Sequence, residues 1–259
     1  MKVHPVIGVL SGCGGAGAST FAAVLAGYAA LRRGTAFLLD CDPAGGGIDV
    51  LLGCEQQPGP RWGQVRLRGG SLDPAALAGS LPRWHSVSFL AADSARPLDP
   101  AAVGRVIDAA VATGPVVLDL PRADPTLRQP AIARCDRVVL VAAAEVRAVT
   151  AAAMLAPSCP LESTSVLVRG ASRSLPAWQV GQLLGLPVLG TLPFDPAGLH
   201  PAGLALPRVR RGTRKLAEQL LDSFGIAPES TASPEPNHRP RAGRPRAGWA
   251  GAGRAGTAA

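Results

Sequence analysis

The chain has 259 residues, enough for one domain with a substantial hydrophobic core. Apolar residues make up 47% of it but aromatic residues only 4%, so the core must consist mainly of alanine, valine and leucine. The formal net charge of +8 comes almost entirely from arginine, because Lys2 and Lys215 are the only lysines. In a chain this rich in alanine, glycine and proline, a compositional bias explains the charge as well as nucleic acid or acidic lipid binding does.

Features that would place the chain outside the cytoplasm are missing from the sequence. No apolar signal core follows Met1, and glycine or arginine interrupts every apolar run before the ~20 residues that a membrane span needs. The five cysteines contain no CxxC pair, and no histidine lies at metal-ligand spacing to a cysteine. We therefore expect a cytoplasmic protein, which partners could recruit to a cell pole, a septum or a membrane.

Short β-branched runs alternate along the chain with alanine- and leucine-rich stretches of helical length. The predicted strands are 6–10, 36–40, 86–91, 116–120, 137–142, 165–168 and 188–192. The predicted helices are 19–32, 100–112, 126–133, 146–155, 177–184 and 208–224. This alternation predicts an α/β fold, a mostly parallel sheet with helices on both faces.

Two segments depart from the pattern. The stretch 55–70 is rich in glutamine, proline, glycine and arginine, and predicts an irregular surface excursion. From Ala227 onward proline, glycine and arginine dominate, and too few apolar residues remain to offset the entropy of ordering. We expect a folded domain at 1–226 and a disordered Pro/Gly/Arg-rich tail at 227–259.

A glycine-rich loop, Ser-Gly-Cys-Gly-Gly-Ala-Gly-Ala-Ser-Thr at 11–20, joins the first predicted strand to the first predicted helix. Glycines let backbone N–H groups wrap a phosphate, and the helix N-terminus adds partial positive charge. In the phosphate-loop pattern G-x-x-x-x-G-K-[ST], Gly12, Gly17 and Ser19 match, but Ala18 replaces the lysine. The residues predicted to bind the nucleotide are Gly12, Gly14, Gly15, Ala16, Gly17, Ala18, Ser19 and Thr20.

The same loop also fits the dinucleotide pattern G-x-G-x-x-G at Gly12, Gly14 and Gly17, and Asp40 follows about 20 residues later, where a ribose-binding acid would lie. Two later segments favour the phosphate loop. The second strand ends in Asp40-Cys41-Asp42, and the run Val-Val-Leu-Asp-Leu-Pro at 116–121 has the form of a Walker B strand. All three segments end a predicted strand at the edge where such sheets bind ligands.

Together these segments resemble the MinD/ParA family of P-loop ATPases. The family's switch segment is similar to 37–53, its Walker B strand to 116–121, and its "LPVLGxIPxD" strand to 186–195. The resemblance covers roughly 3–224 and implies a P-loop NTPase architecture with a deviant Walker A. Within the superfamily, the loop and the Asp-Leu-Pro-Arg at 119–122 look most like the CpaE/TadZ branch and its actinobacterial septum-site-determining (Ssd) relatives.

The resemblance implies a nucleotide-binding positioning protein that uses ATP or ADP with Mg²⁺. Its process would be septum-site determination or the localisation of Tad/Flp pilus and secretion machinery. Ser19, Asp40 and Asp119 would hold the Mg²⁺, partly through water, and Asp42 would orient the attacking water. Partners would be proteins of a division, pilus or secretion apparatus, and a homodimer is also open.

The two lysines of the family's loop are absent. In the family, one reaches across a dimer to the partner's phosphate and the other holds the β- and γ-phosphates. Cys13 and Ala18 stand in their places. Because one such preorganised donor is worth ~10²–10³ in rate, hydrolysis should be weak. Arg122, just after the Walker B strand, is the candidate replacement cation.

Several alternatives stay open at this stage. Relatives often end the strand corresponding to 165–168 with an asparagine that reads adenine, whereas this chain has Val168-Arg169-Gly170, so base selectivity is undecided. The arginines at 208–214 suit a solvated helix face better than nucleic acid or acidic lipid. A nucleotide-independent scaffold of the same fold and an NAD-dependent oxidoreductase are the competing functions.

The predicted tail gives a direct test. Deleting the chain from Ala227 onward should leave the thermal unfolding midpoint nearly unchanged, since a disordered segment contributes little packing. Differential scanning calorimetry of the full-length and truncated chains measures this. A fall of more than ~4 °C would show that the tail packs on the domain.

Overall fold

The structure is a computed structural model that describes residues 4–65, 72–93, 97–170 and 175–228. The strands are Val6–Ser11 (β1), Ala36–Asp40 (β2), Arg83–Trp84 (β3), Val87–Leu90 (β4), Val116–Leu120 (β5), Arg137–Ala143 (β6), Thr164–Arg169 (β7) and Val188–Leu192 (β8). The α-helices are Ala18–Arg33 (α1), Ile48–Leu52 (α2), Pro74–Ser80 (α3), Pro100–Ala110 (α4), Pro125–Ile132 (α5), Val146–Leu155 (α6), Ala177–Leu184 (α7) and Arg211–Ser223 (α8). Most of the tail predicted at 227–259 lies outside the described residues.

One eight-stranded sheet runs through the domain in the order β3-β4-β2-β5-β1-β6-β7-β8. Every neighbouring pair is parallel except β3 and β4, which pair antiparallel at one edge. The central strands are buried on both faces, which is why their sequences are almost continuously apolar. The predicted α/β fold with a mostly parallel sheet is therefore confirmed.

Two hydrophobic cores cover the two faces of this sheet. Helices α1 and α8 pack on one face, and α3, α4, α5, α6 and α7 supply buried residues to the other. All six predicted helices are present, while the short helices α2 and α3 are additional. Among the described residues, no helix combines the length and the apolar character that crossing a bilayer requires.

Helix α1 is packed unusually closely for a helix that begins at a functional loop. Eleven of its sixteen residues are buried, most of them alanine. At Gly27 an added Cβ would lie 2.6 Å from the side chain of Leu206, so only glycine permits this approach. Because α1 is fixed between the sheet and its neighbours, the loop that precedes it has a rigid base.

The segment predicted as an irregular surface excursion at 55–70 contains a buried anchor, which corrects that expectation for its described part. Trp62 is 5% exposed, and its indole Nε1 donates a hydrogen bond to the carbonyl oxygen of Asp40 at 2.7 Å. Arg61 forms an ion pair with Asp49 at 2.8 Å. The composition of this segment correctly indicated that it has little regular structure. Composition does not show, however, that Trp62 is buried at the edge of the sheet.

The pairing of β2 with β5 brings two buried carboxylates together. The register aligns Asp40 with Asp119, and the two residues are 2% and 6% exposed. Burial and, to a smaller extent, the charge of Asp40 raise the pKa of Asp119 to about 7. Burial likewise raises the pKa of Asp40 to about 6, although hydrogen bonds from the amides of Ala92, Ile48 and Asp42 oppose the shift.

This pair predicts that stability falls as pH rises. An unfolded aspartate releases its proton near pH 4, while the folded Asp119 keeps its proton until about pH 7. The stabilisation from the raised pKa is complete below pH 4 and is lost as pH rises through 7. Asp119→Asn, which stays neutral, should gain about 3 kcal/mol in unfolding free energy relative to the native chain between pH 4.5 and pH 8.

Urea unfolding in buffer containing a chelator measures this difference. Asp124→Asn is the matched control, because Asp124 is an exposed helix cap whose pKa is lowered by the Thr126 hydroxyl. Its variant should gain no stability with rising pH. A pH-independent difference between Asp119→Asn and the native chain would contradict the raised pKa of Asp119.

Candidate functional site

The glycine-rich loop leaves the carboxyl end of β1 and enters α1 directly. Its amide at Gly12 donates to the carbonyl oxygen of Val141 at 2.8 Å, and the Ser11 hydroxyl donates to the Cys13 carbonyl at 2.5 Å. Gly15 and Gly17 have φ angles of 73° and 86°, in the left-handed region that favours glycine. These residue types therefore set the curvature of the loop.

Where the loop joins α1, backbone N–H groups lack hydrogen-bond acceptors. Helix α1 begins at Ala18 after Gly17, and no side chain caps it. Within the described part of the chain, the amides of Ala18, Ser19 and Thr20 have no hydrogen-bond partner. Such donors, together with the partial positive charge of the helix N-terminus, suit an anion.

A cavity of about 290 Å³ lies beside the loop and contains the predicted metal-binding residues. Ser19, Asp40 and Asp119 all line it, with Thr20 and the glycines of 45–47. The Ser19 hydroxyl hydrogen-bonds to Asp119 and lowers its pKa, against the larger effect of burial. Three residues from separate parts of the sequence thus meet here, as the sequence predicted.

The oxygen donors of this cavity fit Mg²⁺, provided that a ligand supplies the rest of the coordination. Two carboxylates and a hydroxyl are hard oxygen ligands. Within the described residues, no three His, Cys, Asp or Glu side chains are placed to hold a metal ion together. Mg²⁺ commonly takes one or two carboxylates and completes its octahedron with water and phosphate oxygens. A cation here would also relieve the repulsion that raises the pKa of Asp119.

Asp40 has a second task that the sequence did not reveal. Its carboxylate accepts from the amides of Asp42 and Ile48 at 3.1 Å and from the amide of Ala92 at 3.2 Å. These bonds fasten the loop that connects β2 to α2. Substituting Asp40 would therefore disturb the site's backbone as well as its charge.

Asp42, the predicted water-orienting residue, begins this loop. It is half-buried, and its side chain accepts from the amide of Ala44 at 3.2 Å. It lies two residues beyond Asp40 but lines neither the 290 Å³ cavity nor the larger cavity described below. The structure thus places it next to the carboxylate pair and outside the cavity walls.

The positions of the two missing lysines carry no charge, although Ala18 lines the larger cavity described below. Ala18 is 3% exposed and packs in the hydrophobic core, and Cys13 is half-buried against the same core. Arg122, the predicted replacement cation, is exposed and lines neither cavity. Its described contact is through its carbonyl oxygen, which accepts from Arg128 at 2.7 Å. The structure does not bring Arg122 to the loop.

A different arginine reaches the loop. Arg169, the last residue of β7, donates from Nη1 to the carbonyl oxygens of Ala16 at 2.9 Å and Gly15 at 3.4 Å. Its guanidinium also lies 5.7 Å from the centre of the Phe194 ring. In the sequence, Arg169 was notable only because it replaces an asparagine. Its position at the end of a strand facing the loop was the signal that could have identified it.

Arg169 belongs to a second cavity, of about 310 Å³, on the other side of the loop. Serine and threonine at the start of α1 line this cavity together with the segment that follows β8, including Asp195 and Gly198. An added Cβ at Gly198 would lie 2.6 Å from the Thr20 side chain, so the segment contacts the loop closely. Thr213 also lines the cavity, and its buried hydroxyl has no hydrogen-bond partner.

Comparison with protein-family models finds no match. Among curated proteins, the chain is 41% identical over 233 residues to an uncharacterised protein of Mycobacterium tuberculosis, known as Rv3660c in strain H37Rv and MT3760 in strain CDC 1551. The alignment covers 87% of this chain and 64% of that protein. The chain thus spans less than two thirds of the length of these relatives.

Solved structures show the same architecture at low sequence identity. The ParA family ATPase from Chlorobium tepidum aligns with a TM-score of 0.70 at 14% identity, covering 86% of this chain and 98% of that one. The septum site-determining protein MinD from Pyrococcus horikoshii, solved with Mg-ADP, gives 0.63 at 18%, covering 86% and 98%. The MinC:MinD complex of Aquifex aeolicus gives 0.64 at 19%, covering 84% and 96%.

These alignments extend over nearly all of each solved chain. At this low sequence identity, the alignments establish the architecture alone. The chemistry has to be argued from the residues described above. The chain has the fold of the MinD and ParA P-loop ATPases.

Proposed function

We propose that this chain is a nucleotide-binding positioning protein that binds ATP or ADP with Mg²⁺. The observation that carries the proposal is the run of partnerless amides at Ala18, Ser19 and Thr20, facing cavities that also hold a carboxylate pair. Donors to phosphate at the start of α1 and acceptors for a metal at the ends of β2 and β5 are thereby combined at one edge of the sheet.

Each residue has a defined task in nucleotide binding. The loop amides would donate to phosphate oxygens, and Ser19 and Asp119 would hold Mg²⁺, with Asp40 stabilising the adjoining loop. When bound, Mg²⁺ neutralises charge on the β- and γ-phosphates. Gly12 permits the tight turn, because an added Cβ would lie 2.8 Å from that of Ala152.

The proposed biological role is the positioning of partner proteins. The Pyrococcus protein of this fold is a septum site-determining protein, and the Aquifex structure is a complex with MinC. By the CpaE/TadZ and Ssd resemblance, the partners of this chain belong to a division, pilus or secretion apparatus. We assign the nucleotide-binding domain to 1–226, and a homodimer is the simplest assembly.

Nucleotide binding should depend on magnesium through Asp119. Isothermal titration calorimetry with ATP should show binding that weakens by about 10-fold or more with EDTA or in Asp119→Ala, since a charged metal ligand is lost. Asp108→Ala, at an exposed carboxylate pairing with Arg134, is the matched control and should bind normally. Tight binding of NAD(H) that resists EDTA and survives Asp119→Ala would instead establish a dinucleotide enzyme.

Hydrolysis of ATP should run near the uncatalysed rate, because neither lysine position carries a cation. Phosphate release from the purified chain measures this rate. Ala18→Lys should tighten Mg-ATP binding, while Ala18→Met, of similar length without charge, should not. Turnover well above background in the native chain would contradict the assignment of weak hydrolysis.

A further inference from the structure

We propose that Arg169 is the cation that binds the phosphates at this loop, supplied from the end of β7 instead of from the loop itself. This inference rests on the proposed nucleotide binding and adds the residue that sets its affinity for phosphate. It assigns a function to the position at which the sequence showed only a departure from the expected asparagine.

Arg169 is placed directly on the loop. Its Nη1 donates to the carbonyl oxygens of Gly15 and Ala16. A Cβ built on Gly17 would overlap the same Nη1, so the guanidinium occupies the space beside the last loop residue before α1. Gly17 is favoured by its φ of 86°, and its lack of a side chain leaves room for the arginine.

The guanidinium has capacity for an anion. Its described hydrogen bonds use Nη1 and go to neutral carbonyl oxygens, and within the described residues it forms no ion pair with a carboxylate. Arginine carries five N–H donors in a planar fork, so several remain for a phosphate. The Phe194 ring at 5.7 Å supports the guanidinium by a cation–π contact without neutralising it.

The charge distribution of the two cavities gives the same conclusion. Arg169 is the one lysine or arginine among the described residues that line either cavity. Asp195 lines the same cavity as Arg169, but its carboxylate accepts from the amides of Ala197 and Arg210, while Asp40 and Asp119 line the other cavity. A ligand carrying several negative charges, partly neutralised by a divalent cation at the carboxylates, would find its complementary protein charge at Arg169.

The cavity around Arg169 also provides for an uncharged portion of such a ligand. Thr213 is 3% exposed and lines the same 310 Å³ space, and its buried hydroxyl has no hydrogen-bond partner within the described residues. An unpaired buried hydroxyl is costly, so a polar ligand group that reached Thr213 would offset that cost. The chemical class that satisfies both ends is a phosphorylated nucleoside.

Arg169 could also weaken ligand binding by occupying the phosphate position. The experiment has to distinguish this effect from phosphate binding. If the guanidinium fills the phosphate position and has to leave before a ligand enters, its removal would tighten binding. If it binds the phosphates, its removal would weaken binding. The sign of the change in affinity therefore decides the question.

The test measures binding of Mg-ATP, Mg-ADP, inorganic triphosphate with Mg²⁺, and adenosine to the full chain by calorimetry. Arg169→Ala and Arg169→Gln should each weaken ATP and triphosphate binding by about 10- to 100-fold, the loss expected for a hydrogen bond to a charged group. Arg169→Gln retains a donor for the Ala16 carbonyl, so it separates lost charge from a disturbed loop. Adenosine binding should be unchanged.

Arg122→Ala is the matched control, because it removes the same charge from an exposed arginine that lines neither cavity. Thermal unfolding establishes that each variant is folded. Phosphate ligands that bind the native chain and both Arg169 variants equally, or bind the variants more tightly, would overturn the inference and leave the proposed function standing. A native chain that binds no phosphate ligand would overturn both.

Discussion

The site depends on the burial of two carboxylates side by side. Parallel pairing of β2 with β5 aligns Asp40 and Asp119 at the carboxyl edge of the sheet, where each is almost inaccessible to water. Burial raises the pKa of Asp40 to about 6 and that of Asp119 to about 7, and the charge of Asp40 contributes to the second value. A structural task accounts for Asp40, whose carboxylate accepts from three backbone amides, but it does not account for the burial of Asp119 beside it, where an apolar side chain would cost less. The arrangement is physically reasonable when a cation joins it.

The charged groups suited to a metal-bound polyanion line two different cavities beside the loop. Asp40 and Asp119 line the cavity in which a metal could be held, and Arg169 lines the other together with Asp195, whose carboxylate accepts from the amides of Ala197 and Arg210. In a loop of the G-x-x-x-x-G-K-[ST] type, the cation comes from the loop's own lysine. Here the corresponding residue is the uncharged Ala18, and β7, which lies two strands from β1 in the sheet, brings the positive charge. Because a guanidinium is planar, it can hold a loop carbonyl and an anion at once, which an ammonium at the end of a flexible chain does less well.

The sequence predicted the parts of this fold that local patterns determine. Apolar runs located seven strands closely, and the order of three motifs placed Ser19, Asp40 and Asp119 in one cavity. Contacts between distant segments were not predictable from one sequence. Trp62 lies in a stretch with the composition of a surface loop, yet its indole bonds to the end of β2. Arg169 likewise is separated from the loop by about 150 residues, and only the pairing of β6 with β7 reveals that they are neighbours.

The geometry of the loop does not depend on the two lysines that usually make such loops catalytic. Its curvature comes from Gly15 and Gly17, its attachment from the bond between Gly12 and Val141, and its base from the packing of α1. None of these features requires a lysine. Backbone donors bind an anion in the ground state, whereas a cation placed for the transition state lowers the barrier to its transfer. Under the proposed function, a chain that keeps the former and lacks the latter would respond to nucleotide binding and release, with its occupancy set by nucleotide concentration and dissociation instead of by turnover.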